Sequence, residues 1–204
     1  MTMTTISKEL IQQTISFHGH SCPGLAIGIR AAELALARLG RASDEEIVAV
    51  VETDMCGVDA VQFLTGCTFG KGNLIHLDYG KNAFTFFRRS DGKGIRIVTK
   101  RGIPQDPDDE LSTLRKKMLR EKLTPEEQEK MEKGKAARIA RIMDADPQDL
   151  FEINPVRGPI PKKARILQSL PCEACGELTM ESRTRRYFGQ TLCIPCFKAM
   201  EQRE

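Results

Sequence analysis

The chain has 204 residues, of which 40% are hydrophobic and 29% are charged, and this balance excludes a wholly disordered protein. The formal net charge of +3 is too near neutral to predict a nucleic-acid-binding protein, and a content of 5% aromatic residues without Trp disfavours an aromatic platform for bases. The longest apolar run, Ile47–Val51, is too short for a membrane span, and no signal peptide is evident at the N-terminus, so we expect a cytoplasmic protein.

A helix is the first strong prediction along the chain. Pro23 stands where a first helical residue would lie, and Gly40 stands where a helix would end. Between them, apolar side chains recur at helical spacing, at Leu25, Ile29, Ala32, Leu36 and Leu39. A shorter helix is predicted before it, around residues 10–15.

Two of the three histidines and one cysteine alternate just before this helix, in the segment FHGHSCPG. In an extended segment His18, His20 and Cys22 would face the same side, so they could share one metal ion. Amide groups at the start of a helix lower the pKa of a thiol, which suits a metal ligand or a nucleophile. Cys22 and His20 are therefore candidate catalytic residues as well as candidate ligands. The alternative is a structural cysteine beside two polar loop histidines.

Strand patterns dominate the next part of the chain. Ile47–Val51 is read as a buried strand, followed by a short helix at 57–64 and by strands at 74–78, 83–89 and 95–99. The short spacers between the last three strands favour hairpins and an antiparallel meander. The fold class predicted from this order is α+β, with N-terminal helices packed on an antiparallel sheet.

A second group of side chains is needed to complete a metal site in this region. Cys56 follows the buried strand and is the first candidate; weaker candidates are Asp59, Gln62 and Cys67. A His and Cys site with an open position would resemble catalytic zinc, so zinc is the metal expected here. The glycine-rich loop at 65–73 fails the pattern of a nucleotide-hydrolysing phosphate loop, although Lys71 could approach an anion there.

A densely charged segment separates this region from the C-terminus. Thr124, Pro125 and Glu127 form a helix-start signature, and the helix that follows is either a solvated helix or an arm packed on a partner subunit. Prolines at 154–163 indicate a linker. We therefore predict three parts: a metal-binding domain at 1–103, a helical connector at 104–168 and a small zinc module at 169–204.

The C-terminal module carries two Cys-x2-Cys pairs, which 17 residues separate: Cys172 with Cys175, and Cys193 with Cys196. This spacing is typical of a four-cysteine zinc finger, and four protein ligands favour a structural ion. Leu178–Met180 and residues 185–188 are predicted to pair as a hairpin with its tip at Gly189, before a helix at 197–202. Three arginines cluster here, but nearby glutamates cancel their charge, so nucleic-acid binding is disfavoured.

The motifs of the chain resemble those of the FmdE family, which is named after formylmethanofuran dehydrogenase. The resemblance rests on FHGHSCPGLAIGIRAAELAL, ETDMCGVDAVQFLTGCTFGKGNL and DYGKNAFTFFRR, and the terminal cysteine pairs resemble a zinc-finger extension of some members. It implies an α+β domain that forms dimers and carries a metal-binding cluster. Carried over by motif, the metal or active-site residues are His18, His20, Cys22 and Cys56, with Asp59, Gln62, Cys67 and Lys71 nearby.

The function expected from the sequence is that of a cytoplasmic, homodimeric metal-binding protein. It would hold a structural zinc ion in a treble-clef-like finger and a second zinc ion in the N-terminal domain. Association with a molybdenum or tungsten formylmethanofuran dehydrogenase, or with related redox metabolism, follows from the resemblance alone. The alternatives are an accessory protein that delivers metal or cofactor to an oxidoreductase, and a zinc-finger regulator that binds nucleic acid. No reaction is predicted.

Overall fold

The computed structural model describes residues 4–41, 46–101 and 109–201, and the chain divides into two compact units, 1–163 and 164–204. The helices are α1 (Lys8–His18), α2 (Pro23–Leu39), α3 (Gly57–Thr65), α4 (Asp109–Met118), α5 (Pro125–Asp144), α6 (Pro147–Leu150) and α7 (Ile194–Glu201). The strands are β1 (Ile47–Val51), β2 (Leu74–His76), β3 (Ala83–Arg88), β4 (Gly94–Thr99), β5 (Phe151–Val156), β6 (Ser169–Pro171), β7 (Leu178–Met180), β8 (Thr184–Tyr187) and β9 (Gln190–Cys193). None of the helices in the described ranges is long and apolar enough to cross a bilayer.

Strong local signals end α1 and begin α2 within a few residues. Gly19 ends α1 in the left-handed conformation, at a φ of 94° that glycine adopts without a steric cost. Cys22 caps α2: its Sγ accepts a hydrogen bond from the Leu25 backbone N–H at 3.3 Å, and Pro23 follows as the first helical residue. The predicted start of α2 is confirmed, and the tight bend between the helices carries His20 and Cys22.

The main sheet has the strand order β2-β1-β3-β4-β5, and antiparallel pairs predominate in it, which confirms the α+β class. The predicted β3–β4 hairpin is confirmed. The predicted hairpin between β2 and β3 is wrong, because β2 lies parallel to β1 at the sheet edge. The buried amide of Asn73 accounts for this arrangement: its Nδ2 donates to the Ile47 carbonyl at 3.0 Å, which fixes the start of β2 beside β1.

Helix α2 is buried along most of its length and shares one apolar core with the sheet. Phe84 and Phe86 of β3 are fully buried in that core. Arg30, on the same helix, is only 2% exposed, and its Nη2 donates to the Ala145 carbonyl at 2.7 Å while Nη1 pairs with Glu33. A buried guanidinium needs such partners, so this group fixes the end of α5 against α2.

The charged segment predicted as a connector lies largely within the first unit. Thr124 and Glu127 form the predicted capping box at the start of α5. Helix α5 packs on α2 of the same chain, where Ile142 is 1% exposed, and β5 extends the sheet beside β4. The structure therefore divides the chain after residue 163 rather than at 103 and 168. Residues 102–108, at the predicted first boundary, lie outside the described ranges.

The second unit consists of two short hairpins and a helix. Strand β7 pairs with β6, and β8 pairs with β9, so the predicted pairing of Leu178–Met180 with 185–188 is wrong. Each hairpin instead supports one cysteine pair, because Cys172 directly follows β6 and Cys193 ends β9. Gly189 lies at the tip of the second hairpin, as predicted, with a φ of 80°. Helix α7 begins at Ile194, so Cys196 lies in its first turn.

Candidate metal centres

Four side chains of the first unit meet at the N-terminal ends of α2 and α3. They are His18, His20, Cys22 and Cys56, and one potential ligand atom of each lies within 4.8 Å of the others. His18 is the last residue of α1, so the predicted extended segment is wrong at this point. The bend at Gly19 brings the two histidines together instead, with ring centroids 4.4 Å apart.

Asp59 of α3 orients the first histidine of this cluster. The distance between His18 Nδ1 and Asp59 Oδ2 is 2.6 Å, so the carboxylate accepts from Nδ1 and leaves Nε2 for the cluster. The Nε2 atom lies 4.0 Å from Cys22 Sγ. Gln62 Nε2 in turn donates to Asp59 Oδ1 at 3.5 Å. A carboxylate behind an imidazole is the usual arrangement around histidine ligands of metals, because it fixes the tautomer and the ring orientation.

The two thiols of the cluster come from the starts of two helices in close contact. A Cβ atom on Gly28 of α2 would lie 2.3 Å from the Gly57 carbonyl oxygen, so the helix backbones touch there. Near the same contact, a Cβ atom on Gly24 would lie 3.3 Å from Cys56 Cβ. The glycines therefore allow α2 to approach α3 closely enough for Cys22 and Cys56 to face one site.

Burial, and then the neighbouring Cys22 thiol, raise the pKa of Cys56. Two thiols this close resist ionising together unless a cation lies between them, so the donor set fits a metal ion. His20 is exposed while His18, Cys22 and Cys56 are partly buried. The cluster is therefore open to solvent on the side of His20.

The weaker candidates have different roles. Cys67 is fully buried, and its Sγ donates to the Ile47 carbonyl at 3.4 Å, so it packs in the core. Gln62 Oε1 accepts from the Phe69 backbone N–H at 3.3 Å, which ties the loop that carries Lys71 to α3. Sequence reasoning did not single out Asn73, although a buried amide after a glycine-rich loop is a common signal of a pinned turn.

The second cluster lies in the C-terminal unit and consists of the four cysteines Cys172, Cys175, Cys193 and Cys196, whose Sγ atoms lie within 4.8 Å of one another. Backbone N–H groups of Cys175, Cys193 and Ala174 lower the pKa of Cys172 to about 6. The neighbouring thiols Cys193 and Cys175, and then burial, raise the pKa of Cys196 to about 12. The site thus holds one thiolate readily and needs a cation to hold four.

Two family models match the two parts of the chain. Residues 17–152 match the model described as "FmdE, Molybdenum formylmethanofuran dehydrogenase operon". Residues 165–202 match the model of the prokaryotic dksA/traR C4-type zinc finger. The second match agrees with the position of the four-cysteine cluster, so the C-terminal unit is a C4 zinc finger.

A curated relative and a solved structure are also similar to this chain. A probable S-adenosyl-L-methionine-binding protein of Archaeoglobus fulgidus is 34% identical over 195 residues, which cover 92% of this chain and 52% of that protein. The chain therefore spans about half the length of this relative. A crystal structure of an FmdE-like protein of the tungsten formylmethanofuran dehydrogenase type, from Syntrophus aciditrophicus, aligns over 98% of each chain, with a TM-score of 0.65 and 25% identity. The chain belongs to the FmdE family and is a metal-binding protein with a C-terminal C4 zinc finger.

Proposed function

We propose that the N-terminal unit binds one zinc ion through His18, His20, Cys22 and Cys56, and that this ion is the functional centre of the protein. The convergence of two imidazoles and two thiols within 4.8 Å carries the proposal. Two nitrogen and two sulfur ligands form a set that tetrahedral zinc commonly accepts. Cys172, Cys175, Cys193 and Cys196 would hold the structural zinc ion of the finger.

The N-terminal site differs from the finger in ways that favour chemistry over structure. Its His18 is oriented by Asp59, and its exposed His20 can exchange with a small molecule from solvent. Zinc with an exchangeable position can polarise a bound group or lower the pKa of bound water. The half-buried thiols Cys22 and Cys56 would stay in place, while the His20 imidazole would be free to hold or release a proton at the entrance.

The wider biological role stays a prediction from the family. The matched model is named after the formylmethanofuran dehydrogenase operon, and the relative of Archaeoglobus fulgidus is named for S-adenosyl-L-methionine. We propose a cytoplasmic homodimer that works beside a molybdenum or tungsten oxidoreductase. Delivery of metal to such an enzyme is the second candidate role. Exposed apolar side chains next to the cluster favour it, because a protein could dock there; Met55 is 67% exposed and Phe69 is 75% exposed.

The positioning role of Asp59 gives a direct test. We expect Asp59→Asn to weaken zinc binding at the N-terminal site by about 10- to 100-fold, because an amide no longer fixes the His18 tautomer. The measurement is competition for zinc against a chromophoric chelator, in protein whose finger is already loaded.

Asp78→Asn is the matched control for this test, since Asp78 is an exposed carboxylate beyond the end of β2. It should leave the zinc affinity unchanged. An Asp59→Asn protein that binds zinc as tightly as the Asp78→Asn protein would contradict the assigned role of Asp59.

A further inference from the structure

Two cavities of the first unit lie side by side along α5, and one of them reaches the metal cluster. Their volumes are about 580 Å³ and about 470 Å³, and both are lined by Glu132 and Lys135. The smaller cavity is also lined by His20 and Ser21. Together they form one groove along α5, which we name the α5 groove. Its walls include Arg115, Met118, Leu123, Met131, Arg138 and Ile139.

Positive charge is concentrated in the middle of the α5 groove. Lys135 and Arg138 lie one turn apart on α5, and Arg115 of α4 lines the same cavity, against the single carboxylate of Glu132. Lys135 Nζ lies 3.4 Å from Glu132 Oε2, but both side chains are well exposed, so this pair adds little stability. The Lys135 ammonium is therefore available to a stronger anion.

Arg138 supplies a second, independent observation. Its Nε is buried, and it has no hydrogen-bond partner within the part of the chain that the structure describes. Buried donors in proteins are nearly always paired, so an unpaired guanidinium nitrogen in a cavity wall points to an acceptor supplied by a ligand. A carboxylate placed between Arg138 and Lys135 would satisfy both groups.

The walls on either side of these charges are apolar. Met118, Leu123 and Met131 line the larger cavity, and Ile139 lines the smaller one. Met118 remains 55% exposed, which costs free energy unless a ligand covers it. Methionine side chains adapt to ligands of different shapes, which suits a flexible chain. The groove thus combines an anion-binding centre with an apolar wall.

We propose that the α5 groove binds a small organic carboxylate with an apolar chain, next to the N-terminal metal site. The carboxylate lies between Lys135 and Arg138, and the apolar chain lies along Met118, Leu123 and Met131. The opening towards His20 would place one end of the ligand beside the metal cluster. The inference names a substrate class for the proposed zinc site and rests on that site only for the ligand's proximity to metal.

Titration calorimetry with octanoate as the probe tests this proposal. Octanol has a similar chain without the charge, and acetate has the charge without the chain. We expect octanoate to bind at least about tenfold more tightly than either, because only octanoate uses both parts of the groove. Equal affinity for octanoate and octanol, or no binding of octanoate, would overturn the proposal.

Substitutions on α5 locate the binding site. We expect Lys135→Met to weaken octanoate binding by at least about tenfold, and Arg138→Met to do the same, because each removes one charged donor. Lys133→Met is the matched control, since Lys133 is 75% exposed and pairs with Glu129 outside the groove. Lys135→Met and Lys133→Met proteins with equal affinity for octanoate would overturn the assignment.

Zinc content measured on the same samples separates this proposal from the proposed metal site. Full zinc content with octanoate binding that ignores Lys135 would refute the groove alone. Octanoate binding that depends on Lys135, in protein whose N-terminal site holds no zinc, would support the groove and refute the metal site alone.

Discussion

Gly28→Ala is expected to destabilise the first unit by about 3 kcal/mol and to lower its Tm by about 6 to 12 °C. The added Cβ would lie 2.3 Å from the carbonyl oxygen of Gly57 and 2.5 Å from its Cα, and backbone atoms cannot rotate away as side chains can. Alanine is favoured over glycine within a helix by about 1 kcal/mol, so the clash must exceed this gain. Thermal unfolding followed by circular dichroism measures the change.

The same substitution should also lower the metal content of the N-terminal site. Separation of α2 from α3 would move Cys22 away from Cys56, since the two thiols lie at the starts of these helices. Gly70→Ala is the control: no atom lies within 4 Å of its added Cβ, and its φ is not positive. A Gly28→Ala protein with the Tm and metal content of the Gly70→Ala protein would show that the close helix contact is not required.

Cys172→Ser is expected to unfold the C-terminal unit while the first unit stays folded. The buried part of the finger consists of Cys172, Leu192 and Cys193, with Tyr187 and Phe197 packed against it. So small a core cannot offset the entropy of ordering the chain, and zinc binding contributes about 10–16 kcal/mol in comparable fingers. Hydrogen exchange followed by mass spectrometry should show loss of protection over 169–201 and unchanged protection in the main sheet.

Cys67→Ala is the matched control for this experiment, because Cys67 is buried in the core of the first unit and bonds to a backbone carbonyl. It should retain the zinc and the protection of the finger. Protection over 169–201 that survives in the Cys172→Ser protein would mean that the finger folds without its metal.

Local patterns predicted the elements of the fold well, since they depend on neighbouring residues. Pro23 and the capping box at Thr124 identified the starts of α2 and α5, and the cysteine spacing identified the zinc finger. Strand pairing is a long-range property, and it was predicted less well. The position of β2 beside β1 depends on the buried Asn73, and the finger hairpins depend on contacts between distant residues.

The candidate site shows the same division. Residue types and spacing were enough to select His18, His20, Cys22 and Cys56 as candidate ligands. The contact between Asp59 and His18 joins two helices, and the helix contact at Gly28 depends on the tertiary packing of α2 on α3. A sequence without aligned relatives carries little signal for either contact, because each involves residues far apart in the chain.

Elemental analysis of untagged protein, purified without added metal, tests the central claim most directly. We expect about two zinc ions per chain in the native protein and about one in Cys22→Ser or His20→Ala protein. Cys67→Ala should keep about two, because its thiol bonds to the Ile47 carbonyl in the core. Only about one zinc ion per native chain, or about two in the Cys22→Ser protein, would contradict a metal site in the N-terminal unit.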